Sequence, residues 1–406
     1  MNEPAAPSAP PTPPPWLAGR LRAAGGRVAF RTYMDWVLHD PQHGAYGSGR
    51  LRIGPRGDFA TSPSLGADFA QLLVPQIADW LAAAQGADTP VALVETGPGE
   101  GHLALQLAEA LAAGWPRLAA RTELVLVEPN AGLEVRQRRH LRACPLPVRW
   151  SSFGALAQAP VRGVVLAHEV LDALAVERIE WDGALWRRQC VALRDGALRL
   201  EAGEPLEPPV LAQLEPLGLL DPSPLRPAGW CTELHPGLEP WLRGCAAAVG
   251  AGRLLVIDYA LEARRYYAAA RSDGTLLAYR AQRASADPLL EPGRWDLTAH
   301  LCLESLREAA LASGWRWLGQ RLQGEALLAL GLAARLQDLQ RGSPAELGSL
   351  LARRETLLRL VDPAGLGAFR WIALARGDVP EEGPPPGPLP RFLRDPPRPG
   401  ADGAGP

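Results

Sequence analysis

The apolar run V-A-L-V-E-T at residues 91–96 opens directly into Gly97, Gly99 and Gly101, and a leucine- and alanine-rich pattern follows from Leu103 to Leu111. This is the signature of a strand, a glycine turn and a helix start. A short, continuous apolar run bounded by glycines suits a strand buried on both faces, as in a parallel sheet covered by helices. Glycine serves the turn because it tolerates positive φ and, lacking Cβ, lets a ligand approach the backbone. The helix that follows offers free N–H groups at its first turn. The stretch is therefore a candidate nucleotide cradle in an α/β fold.

Spacing narrows the nucleotide. A dinucleotide fingerprint requires G-x-G-x-x-G, whereas His102 follows Gly101 here and the pattern reads E-x-G-x-G-x-G from Glu95. A second strand, Glu123 to Val127, ends on Glu128. A carboxylate at that strand end can accept both hydroxyls of a ribose. The acid opening the loop and the acid closing the next strand together resemble the cofactor site of class I S-adenosylmethionine-dependent methyltransferases. The bland alternative is a glycine turn with no ligand, and the placement of Glu128 weighs against it.

Composition excludes several chemistries. All 42 basic residues are arginine, so a Walker A loop and a Schiff-base lysine are both ruled out. A net charge of −2 gives no sign of a nucleic-acid or membrane partner. The densest basic cluster, Arg136, Arg138, Arg139 and Arg142, reads as a solvated helix face. Cys144, Cys190, Cys231, Cys245 and Cys302 are scattered with no C-x-x-C pair, which argues against a disulfide framework or a metal site. No basic flank precedes an apolar N-terminal run, and no apolar run is long enough to span a bilayer. The expectation is a soluble cytoplasmic protein.

The chain divides by pattern. Residues 1–15 and 377–406 are proline-rich tails, expected to be disordered or extended. Residues 16–88 form an N-terminal helical segment, a candidate lid, with a helix from about Leu65 to Ala84 that runs through Pro75. Residues 89–175 and 241–376 carry the expected core. Residues 176–240 form an insert with a hairpin turning at Asp195-Gly196 and an irregular proline-rich stretch at 205–227. Further strands are expected at Val148 to Trp150, Gly163 to Ala167, Arg253 to Tyr259, Trp315 to Gln320 and Ala368 to Ala375. Helices are expected at Gly237 to Ala248, Leu303 to Ser313 and Pro344 to Leu360, and Arg264 to His300 reads as irregular.

Strands one, two, four and five each end at or near an acid: Glu95, Glu128, Glu169 with Asp172, and Asp258. In open α/β sheets ligands bind at the carboxyl ends of the strands, so these acids should share one crevice. Glu169 and Asp172, three apart, would lie on one side of a helical turn and are the candidates to hold a substrate, with Asp258 approaching from the neighbouring strand. Asp58 is a candidate to close over the cofactor or, alternatively, to cap the following helix.

These stretches together resemble the MidA-like methyltransferase family. The marks are G-D-F-A-T-S-P at 57–63, E-T-G-P-G-E-G at 95–101, V-E-P-N at 127–130, H-E-V-L-D-A-L at 168–174, D-Y at 258–259, G-T-L-L-A-Y-R at 274–280 and P-G-R-W-D-L-T-A-H at 292–300. The resemblance implies a class I Rossmann-like fold, a mostly parallel sheet with helices on both faces, and S-adenosyl-L-methionine as cofactor. It implies cofactor contacts from Glu95, Gly97, Pro98, Gly99, Gly101, Glu128, Ser152 and Phe153, with Asp58 and Ser62 closing over from the N-terminal side. For the guanidinium acceptor that it implies, Glu169, Asp172 and Asp258 are the candidate catalytic carboxylates, and no metal is expected. The activity implied is methylation of an arginine in a protein substrate, in assembly of an NADH-dehydrogenase-like complex. The chain departs from the family pattern at Thr96, Glu100, His168, Ala175 and Gln282. Two rival readings are a nicotinamide oxidoreductase, disfavoured by His102 where a third glycine belongs, and a non-catalytic assembly factor that keeps the fold.

Overall fold

The computed structural model describes residues 12–54, 57–84, 90–220, 226–341, 347–377 and 388–396. Residues Val91–Thr96 (β1), Thr122–Val127 (β2), Val148–Ser151 (β3), Val161–His168 (β4), Val249–Asp258 (β5), Arg316–Leu322 (β6) and Arg370–Arg376 (β7) form a seven-stranded sheet. Its order is β6-β7-β5-β4-β1-β2-β3. β1 to β5 are parallel and β7 is antiparallel to both its neighbours. The order reverses between β1 and β4, the topological switch point at which such sheets bind ligands.

Alternation along the strands shows why they read as unbroken apolar runs. Leu93, Leu124, Leu126, Val164, Leu166, Leu255 and Ile257 belong to one core cluster with Phe69, Leu73, Ile77 and Leu81 of helix α1 (Asp68–Ala84) and Leu107 and Leu111 of helix α2 (His102–Gly114). The alternate residues Val94, Val125, Val165, Leu254 and Val256 point the other way and are equally buried. Both faces are covered, so a polar group left there without a partner is costly. Gly163, φ +148°, sits where β4 passes β1; a Cβ there would lie 2.0 Å from the Ala92 carbonyl oxygen. Only glycine lets those two strands approach in this register.

Contacts divide the chain into two units. The first comprises Ile53–Asp172, Leu238–Ala260 and the described residues from Ser305 onward; the second comprises the described residues up to Arg52, Ala173–Gly237 and Leu261–Glu304. This grouping differs from the sequence reading. Residues 261–304, expected in the core, join the second unit, and the expected N-terminal lid is split, its helix α1 being a layer of the sheet's own core. The C-terminal tail also departs from expectation. Phe392 is fully buried against Trp80 and Trp371, and Arg391 pairs with Asp79 at 2.6 Å. An aromatic anchor within a proline-rich stretch suffices to fold it down. The remainder of both expected tails, 1–11, 378–387 and 397–406, residues 221–225 of the expected irregular stretch and residues 344–346 of the expected C-terminal helix lie outside the described residues.

The second unit holds a five-stranded antiparallel sheet that includes Glu177–Trp181, Trp186–Arg194 and Ala197–Pro205. Asp195 and Gly196, both at positive φ, make its tight turn, as the Asp-Gly pair anticipates. Residues 264–300 are not irregular: Leu277–Arg280, Arg283–Ser285 and Asp296–Thr298 pair into a small sheet. Its short strands carry too little alternation to be legible in sequence. At this unit's centre Glu233, fully buried, accepts from Tyr266 Oη at 3.0 Å and Thr275 N at 3.1 Å. All five cysteines are free thiols. Among the described residues no helix is long and apolar enough to cross a membrane.

Candidate functional site

The site is built at the carboxyl ends of β1, β2, β4 and β5. After Thr96 the chain turns through Gly97, Gly99 and Gly101 at φ of +58°, +55° and +84°, all in the left-handed region that side chains resist. The turn is held by Gly97 N donating to Val127 O at 3.1 Å and Gly101 N to Pro98 O at 2.8 Å. It is also close-packed. A Cβ at Gly99 would lie 2.7 Å from Ile53 Cδ1, and one at Gly97 would lie 3.0 Å from Val170 Cγ2.

Glu95, the last acid of β1, is 4% exposed, and its Oε2 is buried without a hydrogen-bond partner among the described residues. Burial pushes its carboxyl up to about 8, opposed by the Ala104 amide. An orphaned buried acceptor beneath a glycine turn is the kind of group a cationic ligand would satisfy. Glu128, half-buried at the end of β2, is raised by burial and drawn down by the Asn130 amide, Gln137 and Arg136. Its Oε1 accepts from Asn130 N at 2.8 Å and its Oε2 from Gln137 Nε2 at 3.1 Å. A carboxylate has about four acceptor positions, so room remains for a diol. Glu100, the departure that adds a negative charge to the loop, is matched by Arg136 of helix α3 (Ala131–His140) at 3.1 Å. Part of the arginine cluster expected to be a solvated face thus answers the loop's own charge.

At the far side of the switch point, residues 169–172 form a turn that is not helical, in place of the expected helical turn. Asp258, fully buried, holds that turn: its Oδ2 accepts from the amides of Val170 at 3.2 Å, Leu171 at 2.9 Å and Asp172 at 3.3 Å, and its Oδ1 from Tyr259 N at 2.8 Å. Burial pushes its carboxyl up to about 7 against the pull of these four amides. The expectation that Asp258 reaches toward a substrate therefore meets a different geometry, in which both oxygens are engaged by main chain. Glu169 sits at φ +54°, a conformation that costs a non-glycine residue about 1–3 kcal/mol and that clusters at functional sites. Its Oε1 is 3.4 Å from His168 Nδ1. Asp172 is 5% exposed. His168 is edge-on to Phe69, with ring centroids 5.3 Å apart; burial lowers it to about 3, so it is neutral. The turn and the glycine loop touch, through Val170 and Gly97.

The other predicted contacts fare unevenly. Ser152 caps the helix Phe153–Gln158, its Oγ accepting from Ala155 N at 3.1 Å, and Phe153 packs edge-on to Trp241. Ser62 is fully buried and its Oγ accepts from Gln323 Nε2 at 3.2 Å, so it is bound into a core polar network. Asp58 does not cap the turn that follows; Thr61 does, with Ser64 returning the bond to Thr61 N at 2.9 Å. Asp58 directly precedes Phe59, which bridges to Ile53, and Ile53 lies over Gly99.

Two residues at the cradle are absent from the sequence reading. Ile53 had no signal in a glycine-rich stretch without periodicity. Gln137 had one: it lies four after Leu133 and four before Leu141, both buried, so a polar side chain sits in the apolar stripe of an otherwise arginine-rich helix.

These residues fit S-adenosyl-L-methionine, with a glycine turn for close approach, an orphaned carboxylate oxygen at Glu95 and an acceptor for ribose hydroxyls at Glu128. The comparisons agree. Residues 72–321 match the model of a family of S-adenosyl-L-methionine-dependent methyltransferases. A COG1565 superfamily member from Burkholderia thailandensis, solved with S-adenosyl-homocysteine bound, superposes with a TM-score of 0.80 at 29% identity, covering 96% of this chain and 99% of that one. The mitochondrial protein arginine methyltransferase NDUFAF7 homolog of Drosophila melanogaster is 28% identical, covering 89% of this chain and 85% of its own length. The Danio rerio protein arginine methyltransferase NDUFAF7 is 27% identical over 86% of this chain and 83% of its own. A reversed sheet order, a triple-glycine turn between two acids and a match over most of the chain lead to one conclusion: this protein belongs to the S-adenosyl-L-methionine-dependent methyltransferase family.

Proposed function

We propose that the chain methylates an arginine of a protein substrate, and that this substrate is a subunit of an NADH-dehydrogenase-like complex. The observation that supports the first part is the turn 169–172, which carries Glu169 and Asp172 just beyond the carboxyl end of β4 and touches the glycine loop through Val170. The names of its arginine-methylating relatives point the same way. The cofactor supplies a methyl group on a sulfonium sulfur, which an attacking nitrogen displaces in line. What remains for the protein is alignment. Carboxylates match the planar fork of a guanidinium, hold it in bidentate fashion and draw off the proton its attacking nitrogen gives up. Asp258 keeps the turn in place through three of its amides, and neutral His168 backs Glu169 without adding a positive charge that would compete with the guanidinium.

The test is transfer of labelled methyl from S-adenosyl-L-methionine to lysate of a strain lacking the protein, followed by hydrolysis and amino-acid separation. Label in methylarginine, lost in Glu169→Gln and Asp172→Asn, supports the reading. Label in another residue, or none, overturns it. Mass spectrometry of the complex's subunits from the same strain tests the second part: arginine methylation unchanged by the deletion overturns it.

A further inference from the structure

We infer that Gln137 is a positioning residue that presents Glu128 to the ribose hydroxyls of the cofactor. Gln137 is fully buried and makes three hydrogen bonds to three separate elements: Nε2 donates to Gly99 O at 2.9 Å and to Glu128 Oε2 at 3.1 Å, and Oε1 accepts from Trp150 Nε1 at 2.9 Å. The orientation of this amide is determined by its neighbours. The indole N–H of Trp150 can only donate, so the amide oxygen must face it; the Gly99 carbonyl and the Glu128 carboxylate can only accept, so the amide nitrogen must face them. A flipped amide would fail at all three partners. Around Glu128 the outcome is a fixed carboxylate plane, with Oε1 held by Asn130 N and Oε2 by Gln137. One further acceptor position on each oxygen stays available, the arrangement a vicinal diol requires.

Gln137 also ties this carboxylate to the loop it must work with. The same nitrogen that holds Glu128 holds the carbonyl of Gly99, and Gln137 Cγ, His140 Cδ2 and Leu141 Cδ1 all lie within 3.7 Å of where a Gly101 Cβ would be. Helix α3 therefore packs along the glycine turn, and Gln137 is the rivet between turn and ribose acceptor. The inference rests on cofactor binding and not on the identity of the methyl acceptor, so it survives or fails independently of the arginine reading.

A double-mutant cycle on S-adenosylhomocysteine affinity, read by titration calorimetry on the full chain, tests it. Gln137→Glu keeps the acceptor for Trp150 but turns a carboxylate toward Gly99 O and Glu128. It should weaken binding about tenfold or more when Glu128 is present, and about twofold or less in the Glu128→Ala background, where the opposing charge is gone. Gln137→Met, of similar volume and without hydrogen bonds, carries the same cycle if the charged variant does not fold. Equal losses in both backgrounds, no loss beside intact Glu128, or undiminished affinity in Glu128→Ala itself would each overturn the assignment.

Discussion

Asp258→Asn is the substitution that best separates holding a turn from touching a substrate. The carboxylate accepts four main-chain amides, three on Oδ2 and one on Oδ1, the shortest being Tyr259 N at 2.8 Å and Leu171 N at 2.9 Å. An asparagine has a single acceptor oxygen. With that oxygen toward residues 170–172, its NH2 opposes the Tyr259 N–H; flipped, it opposes three amides. The cheaper arrangement loses one charge-assisted bond, about 1.5–3 kcal/mol, and leaves a buried donor unsatisfied. Removing a carboxyl that burial has pushed up to about 7 returns part of that cost, since its charged form was disfavoured there. The net loss should be about 1–3 kcal/mol, a fall in Tm of about 1–4 °C for a chain of this size. Because Glu169 and Asp172 ride on the turn, kcat for methyl transfer should drop on the order of 10- to 100-fold. S-adenosylhomocysteine affinity should change by less than about threefold, since the glycine cradle keeps its own bonds. Thermal melts, calorimetry and initial rates on one preparation decide. Unchanged Tm and turnover, or a loss of cofactor affinity as large as the loss of rate, would refute the reasoning.

Three further outcomes follow from the same geometry. Glu95 is raised from 4.5 to about 8 by burial, so the folded protein binds this proton more tightly than the unfolded chain; its contribution to stability is complete below about pH 4.5 and is lost as pH rises through about 8. Tm of the ligand-free protein should therefore decline between about pH 5 and about pH 9, and Glu95→Gln should flatten that slope; a variant with the parental slope would contradict it. Gly163→Ala drives a Cβ to 2.0 Å from the Ala92 carbonyl at the centre of the sheet. It should cost more than about 4 kcal/mol or abolish soluble expression, and a folded, ordinary melt would show that β1 and β4 are not in this register. Phe392→Ala empties a fully buried site between Trp80 and Trp371 and should cost about 3 kcal/mol in denaturant unfolding; a loss under about 1 kcal/mol would mean the segment is not docked.

By itself the sequence determined the strands of the main sheet and the cradle at its switch point. Their apolar runs are continuous because both faces are buried, and a glycine turn between Glu95 and Glu128 has little else to be. Periodicity also carried helix α1 through Pro75, and the Asp195-Gly196 turn was legible because few dipeptides adopt positive φ at both positions. What could not be read was where each polar atom points. Asp258 ends its strand as an acid should, yet four amides contributed by the 169–172 turn and Tyr259 turn it into a brace. Ser62 was taken by Gln323, Glu100 was answered by Arg136, and Gln137 became the link between the glycine loop and Glu128, through pairings that run across 261, 36 and 38 residues of chain. Local propensity acts over a few residues, so it selects elements; hydrogen-bond partners are chosen by burial, which compels every polar group enclosed on folding to take whatever donor or acceptor the packed chain brings within 3 Å or so.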